Sequence, residues 1–313
     1  MIVVISHPKD LHASAVLSCL ERRGVQALLL DISDFPERAT LSIDHETPTP
    51  TCWLDHVSRG SIELSAASAV WWRRPQAPDL SSIQDADALG FAHGEWNEAL
   101  YGLYPLLACP WMNDPVRDEV ASRKALQLTT ARALGMRVPR TLMTSNPTRA
   151  RDFIDRVGLG STIFKTFSAT HQVWRETRLV REEDLEILDS LRLAPAIFQE
   201  YIPARADVRI SIVGDRLFPM AIDTRGTSYE VDFRLSLHEA EKRAAQLPEH
   251  VTSALRALMR HYGLAYGAVD LRQSSDGDYV FLEVNPAGEF LFLENTCQLP
   301  VTEAIADWLS APK

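Results

Sequence analysis

Short apolar runs open the chain. Residues 2–5 (Ile-Val-Val-Ile) are apolar throughout, as a strand buried on both faces requires. A helical period follows from Leu11 to about Arg23 and stops at Gly24, and Val25–Leu30 is a second apolar strand. This strand–helix–strand opening predicts a parallel sheet. A third strand near Ala69 runs into Trp71-Trp72-Arg73-Arg74-Pro75, and helical periodicity returns from about Ala86 to Leu107. The segment Pro110–Pro115 breaks the pattern and marks a domain boundary. Beyond it the spacing predicts a helix from about Asp118 to Leu134, closed by Gly135. A second helix enters through Asn146 as cap and Pro147 as first helical residue, and ends near Gly158. Ser161–Phe167 reads as a strand and Glu182–Leu191 as a short acidic-fronted helix. Ala196–Ile202, Asp207–Val213 and Arg216–Asp223 read as strands, the last two joined at Gly214-Asp215. Helices Pro248–Tyr262 and Pro300–Leu309 complete the pattern. Strands thus alternate with helices early and cluster as antiparallel hairpins late, an α/β region followed by an α+β region.

The late hairpin carries the first chemistry. Asp276-Gly277 lies between the apolar runs Ala265–Leu271 and Tyr279–Val284 and predicts a two-residue turn. Simple pairing across it places Asp270 opposite Glu283, with Asn285 on the face of Glu283. Like charges directly opposite repel, by about 3 kcal/mol at ~5 Å and an effective dielectric near 20. Either a hard divalent cation such as Mg²⁺ offsets that repulsion, or the hairpin is a solvated acidic surface.

Composition narrows the partners. A net charge of −10 argues against a nucleic-acid-binding surface, so any anion must sit in a local basic pocket. The longest apolar run, Leu100–Met112, contains two prolines and falls short of a membrane span. The four cysteines show no paired spacing, as expected of small buried hydrophobes in a reducing, cytoplasmic setting. There is no P-loop, no kinase glycine loop and no glycine-rich dinucleotide turn. Candidate phosphate-binding cations are Lys124, which alone also reads as a solvated helix position, and Lys165. Lys165 falls mid-strand between apolar neighbours, as a phosphate ligand or an edge-strand charge. Asp207, Arg209 and Ser211 share one strand face; the Arg209 fork suits phosphate or carboxylate, or a cross-strand ion pair. Gln199-Glu200-Tyr201-Ile202 ends a strand that either offers groups to an adenine edge or simply terminates.

Together these elements resemble the ATP-grasp superfamily in order and spacing along nearly the whole chain. More narrowly they resemble the microviridin- and graspetide-type peptide maturases. The likeness rests on Trp71-Trp72-Arg73-Arg74-Pro75, Trp111-Met-Asn113-Asp-Pro115, Val138-Pro139-Arg-Thr141, Asp232-Phe-Arg234 and Phe281-Leu-Glu-Val-Asn-Pro-Ala-Gly288. The resemblance implies an N-terminal α/β domain over 1–115, a central ATP-grasp subdomain over 116–195 and a C-terminal one over 196–313. It implies ATP and Mg²⁺, with Lys124 and Lys165 on phosphates and Gln199, Glu200, Tyr201 and Ile202 around adenine. Asp207 would meet the ribose, Asp270, Glu283 and Asn285 would ligate the metal, and Arg209 would face the transferred phosphoryl group. Arg73, Arg74, Asp232 and Arg234 would engage a ribosomal precursor peptide carrying a leader segment, and the chain would form a homodimer.

Two departures stand out. Glu289-Phe290 replaces the Gln-Trp usual in the family after Asn-Pro-x-Gly, and the loop 168–178, the candidate lid, contains no glycine. His171 in that loop is either a phosphate cap or a plain loop residue. The implied reaction activates a Glu or Asp side chain with ATP and closes a lactone or lactam. The same nucleotide residues would also serve a RimK-like or dipeptide-type ligase adding a free amino acid, or an ATP-binding module without chemistry.

Overall fold

The computed structural model describes residues 1–167 and 176–311. Its N-terminal sheet is parallel, in the order Ala27–Leu30, Ile2–Ile5, Ala69–Trp72, Trp111–Met112. The crossover helix Leu11–Arg22 is capped by Asp10, whose carboxylate accepts the His12 N–H at 3.0 Å. The run 2–5 is apolar on both faces because both are covered. Ile2 and Val4 pack with helices Leu11–Arg22 and Val301–Ser310, while Val3 and Ile5 pack with Leu54, Leu64, Leu100 and Leu103. A three-stranded antiparallel sheet, Ala39–Asp44, Thr51–His56 and Gly60–Glu63, was not legible in the sequence. Its strands alternate apolar and polar side chains over too few residues to stand out. The helix expected over 86–107 stops at Leu103 and tightens into a 3₁₀ turn at Tyr104–Leu106, where Pro105 removes a backbone donor.

The helix expected over 118–134 is two helices, Pro115–Ala121 and Lys124–Ala133. Asp114 and Pro115 supply a cap and a first helical residue earlier than the apolar period suggested. The break at 122–123 matters because it makes Lys124 the first residue of the second helix. One turn later, Gln127 continues the edge of a sheet. Its side chain donates to the Val284 carbonyl at 2.8 Å and accepts the Val284 N–H at 3.0 Å.

Two antiparallel sheets build the rest. One has the order Arg178–Leu179, Thr162–Lys165, Ala196–Glu200, Thr141–Thr144. The other has the order Glu241–Ala244, Arg216–Asp223, Ala204–Val213, Tyr266–Ser274, Tyr279–Asn285. Helix Glu249–Tyr262 buries Val251, Leu255 and Leu258 against Val208, Ile210, Ile212, Val269, Leu271 and Phe281 on one face of the larger sheet. Alternation leaves Asp207, Arg209, Asp270 and Arg272 on the other face.

The last hairpin reaches the expected pairing by a different route. Its loop has three residues, Ser275, Asp276 and Gly277, and the Gly277 N–H closes on the Ser274 carbonyl at 2.9 Å. Gly277 has φ 93°, the left-handed position such a loop assigns to glycine. Arg272 therefore pairs with Val280, and Leu271 with Phe281. A bulge at Leu282 then restores the register, so that Asp270 does pair with Glu283. The extra residue has a clear physical function. Without it Phe281 and Glu283 would share one face; with it Phe281 enters the core and Glu283 faces away from it.

Candidate active site

A cleft opens between the two antiparallel sheets, and Lys124, Lys165, Asp232, Arg234, Asp270 and Glu283 all line it. The Glu283 carboxylate is paired with the Lys124 ammonium, which the helix starting at Lys124 delivers and Gln127 anchors. Burial alone would raise the Glu283 carboxyl, but Lys124, Lys165 and Arg234 outweigh it and bring its pKa down to about 2. Asp270 has the opposite sign. Burial raises its carboxyl above the ordinary value, with Arg209 opposing and Glu283 adding to the rise. The Arg209 Nη1 lies 2.9 Å from both Asp270 oxygens. Lys165 pairs across the sheet with Ile197, and burial, chiefly, lowers its ammonium to about 8. The cleft therefore sets two carboxylates of divergent acidity against three or more cations.

The residues expected at the nucleotide end lie on the same cleft: Gln199, Glu200, Tyr201, Ile202 and Asp207 all line it. Several already have protein partners. The Gln199 amide donates to Thr141 Oγ1 at 2.8 Å, and the Glu200 carboxylate accepts Arg140 Nε at 3.2 Å. The Tyr201 N–H donates to the Ser161 carbonyl at 2.7 Å. Both Asp207 oxygens are taken by the Arg272 fork, at 2.8 and 2.9 Å, and this pair is buried. Arg272 also lies over the Tyr201 ring, 5.5 Å from its centroid. Nothing in the sequence pattern singled out Arg272. Its signal is its position two residues after Asp270 on the same strand face.

The remaining expected residues separate into two groups. Asp232 caps the short helix Phe233–Ser236 and holds the Arg234 Nε at 2.8 Å, leaving the half-exposed Arg234 guanidinium on the cleft wall. Arg73 and Arg74 are not on the cleft. The Arg73 side chain has no exposed surface and binds Asp10 Oδ2 at 3.2 Å and the Gly288 carbonyl at 2.9 Å. Arg74 contacts the Ala287 carbonyl and the Glu289 carboxylate, each at 3.3 Å. Asn285 follows Glu283 on the strand, but its side-chain oxygen accepts the Ala287 N–H at 3.0 Å in a tight turn, outside the residues lining the cleft. The candidate lid around Ser168–Arg178, with His171, falls largely on residues 168–175, which lie outside the described residues.

Comparison with known proteins decides the family. Residues 118–309, well over half of the chain, match the RimK-like ATP-grasp domain. The chain belongs to the RimK-like ATP-grasp family. Residues 1–119 match the MvdD pre-ATP grasp domain, so the ATP-grasp resemblance and the mixed α/β fold class are borne out. No curated protein matches the chain. Among solved structures it is similar to the macrocyclase MdnC of Microcystis aeruginosa MRC bound with precursor peptide MdnA, at 28% identity over 99% of each chain, TM-score 0.88. It is also similar to a RiPP-associated ATP-grasp ligase of Chryseobacterium gregarium in complex with ADP and a leader and core peptide. That likeness has 26% identity over 100% of this chain and 97% of that one, TM-score 0.88. PsnB complexed with minimal precursor, Mg and ADP matches at 27% identity over 98% and 96%, TM-score 0.81. The chain is thus an ATP-grasp ligase whose structural relatives handle ribosomal peptides.

Proposed function

We propose that this ATP-grasp ligase activates Glu or Asp side chains of a ribosomal precursor peptide and closes lactone or lactam macrocycles. The observation that carries this reading is the cleft itself. It combines the paired carboxylates Asp270 and Glu283 with Lys124, Lys165 and the Asp232-held Arg234 on one lining. The whole-length likeness to MdnC supports the peptide as substrate.

The donor set fits magnesium. Among the described residues no group of three or more His, Cys, Asp and Glu side chains gathers as a metal site. Two hard carboxylates suit Mg²⁺, which commonly takes one or two protein carboxylates and completes its shell with phosphate and water. Asp270 and Glu283 would hold it, and Asn285 would add a third oxygen only by turning from the Ala287 N–H toward the cleft; when bound, the metal would neutralise charge on the nucleotide phosphates.

In the overall balance a substrate carboxylate oxygen displaces ADP from the γ-phosphorus, and a hydroxyl or amine then displaces phosphate from the acyl carbon. The residues in and beside the cleft would serve the first half by position and charge. Lys124 and Lys165 would bind phosphate oxygens. Gln199, Glu200, Tyr201 and Ile202 would border the adenine, and Asp207, locked by Arg272, would shape the ribose end. Arg234 would receive the carboxylate to be activated, its guanidinium oriented by Asp232. Arg209 would stabilise charge on the transferred phosphoryl group while orienting Asp270. The described residues contain no helix long and apolar enough to cross a membrane, and dependence on ATP fits a cytoplasmic enzyme. A homodimer rests on the family resemblance.

ADP release tests the substrate class. With MgATP, release stimulated by a leader-bearing precursor peptide and not by free amino acids supports the macrocyclase reading. Stimulation by free amino acids alone would transfer the chain to the amino-acid-adding ligases.

A further inference from the structure

The segment Pro286–Leu291 follows the strand that carries Glu283, and most of its backbone is gripped by side chains from elsewhere. Asn113 Nδ2 donates to the Pro286 carbonyl at 3.2 Å. Arg74 Nε donates to the Ala287 carbonyl at 3.3 Å. Arg73 Nη1 and the Tyr266 hydroxyl both donate to the Gly288 carbonyl, each at 2.9 Å. Arg209 Nη2 donates to the Glu289 carbonyl at 3.2 Å. Four successive carbonyls are therefore held, three of them by residues of the N-terminal region. The Phe290 and Leu291 N–H groups donate to His12 Nδ1 at 3.4 Å.

Arg209 links this clamp to the cleft: it does not line the cleft itself, but its other terminal nitrogen binds Asp270, which does. We infer that Arg73 and Arg74 are positioning residues. By fixing the Gly288 and Ala287 carbonyls they set the Glu289 carbonyl that anchors Arg209, and through Arg209 the Asp270 carboxylate. This rests on the metal-site reading above.

The chemistry of Arg73 favours such a function over simple adhesion between regions. Its side chain is fully buried, and taking a guanidinium out of water is costly unless its donors are well used. One carboxylate, Asp10, serves as its counter-ion, and that carboxylate is itself fixed by the Ser6 hydroxyl at 3.0 Å and the His12 N–H at 3.0 Å. Arg73 Nη1 is used on the Gly288 carbonyl, while Nη2 has no hydrogen-bond partner. Gly288 completes the fit. A Cβ there would lie 2.3 Å from the Ala268 Cβ and 2.9 Å from Arg209 Nη2, so only glycine lets the segment come close enough. Groups that orient a metal-binding carboxylate from outside commonly change metal affinity tenfold to a hundredfold when removed.

The test compares the wild type with Arg74→Ala, Tyr266→Phe and Arg73→Lys. Mn²⁺ binding in the presence of ADP is read by electron paramagnetic resonance, and amide hydrogen exchange is read over 286–292. Arg74→Ala, a partly exposed site, should weaken Mn²⁺ binding about tenfold and speed exchange in the segment, while ADP affinity in EDTA shifts less than about twofold. Arg73→Lys should weaken it further; should that variant fail to fold, Tyr266→Phe and Arg74→Ala decide the matter. Faster exchange with wild-type Mn²⁺ affinity in the folded variants would overturn the inference and leave the clamp as adhesion between regions. Wild-type protein that binds ADP but never Mn²⁺ would overturn the metal reading along with it.

Discussion

Replacing Glu283 by Gln tests the charge balance of the cleft through an effect of unusual sign. Gln has almost the same shape and can still accept a hydrogen bond from Lys124, so the perturbation is mainly the loss of one negative charge. At ~4 Å and an effective dielectric of about 20, a cation and this carboxylate interact by about 4 kcal/mol. The Lys124 and Glu283 side chains are 25% and 26% exposed, so solvent screens the pair. A working figure of about 1–2 kcal/mol lies between the bare Coulomb value and that of an exposed pair. Lys124, Lys165 and Arg234, which together hold the Glu283 carboxyl well below its ordinary range, are then left unopposed. Nucleotide phosphates meet a more positive wall, and metal meets one carboxylate fewer. In EDTA, Glu283→Gln should therefore bind ADP about tenfold more tightly than the wild type, since 1.4 kcal/mol is a factor of ten. With excess Mg²⁺ the metal-dependent gain in affinity should disappear, and turnover should fall by about 10³. Calorimetric titration of ADP into both proteins, with EDTA and with Mg²⁺, reads both effects. Unchanged or weaker metal-free binding, together with an intact magnesium effect, would show that Glu283 neither offsets these cations nor holds the metal.

Further outcomes follow from the same geometry. The Lys165 ammonium, lowered by burial to about 8, is charged below that pH and neutral above it; metal-free nucleotide affinity should be nearly flat below about pH 7.5 and weaken above about 8. Lys165→Met should remove that inflection, and a wild-type profile flat to about pH 9.5 would contradict the assignment. Gly288→Ala forces a methyl group against Ala268 and Arg209, and should lower unfolding free energy by about 1–3 kcal/mol in urea titrations; an unchanged midpoint would mean the segment relaxes freely. Arg234→Ala should abolish ring closure while leaving ADP affinity within about threefold, as measured by product mass and by calorimetry. A large loss of ADP affinity would instead place Arg234 on the nucleotide.

The sequence disclosed the large features for identifiable physical reasons. The fully apolar run 2–5 and the capped helix after Asp10 left little alternative to a parallel opening. The hairpin signal at Asp276-Gly277 led to the correct partners, Asp270 and Glu283, although the loop is longer than supposed and a bulge at Leu282 corrects the register. Bulges of this kind answer a tertiary demand, here for Phe281 inside and Glu283 outside, which local pattern does not encode. The small sheet around Thr51–His56 escaped notice because its exposed faces are polar and its strands short. Arg73 illustrates the harder limit. The family resemblance implied contact with a peptide, but only the three-dimensional arrangement showed Asp10 and Gly288 enclosing it. The Asp207–Arg272 pair was hidden for the same reason, since the partners are 65 residues apart in sequence.

Peptide ring closure driven by ATP is read from the intact mass of a leader-bearing precursor peptide after incubation with this protein and MgATP. Each ring closed should remove one water and form one ADP, and Glu283→Gln should slow both by about 10³. Stoichiometric ADP with a peptide of unchanged mass, or a peptide that gains the mass of an added amino acid, would contradict it.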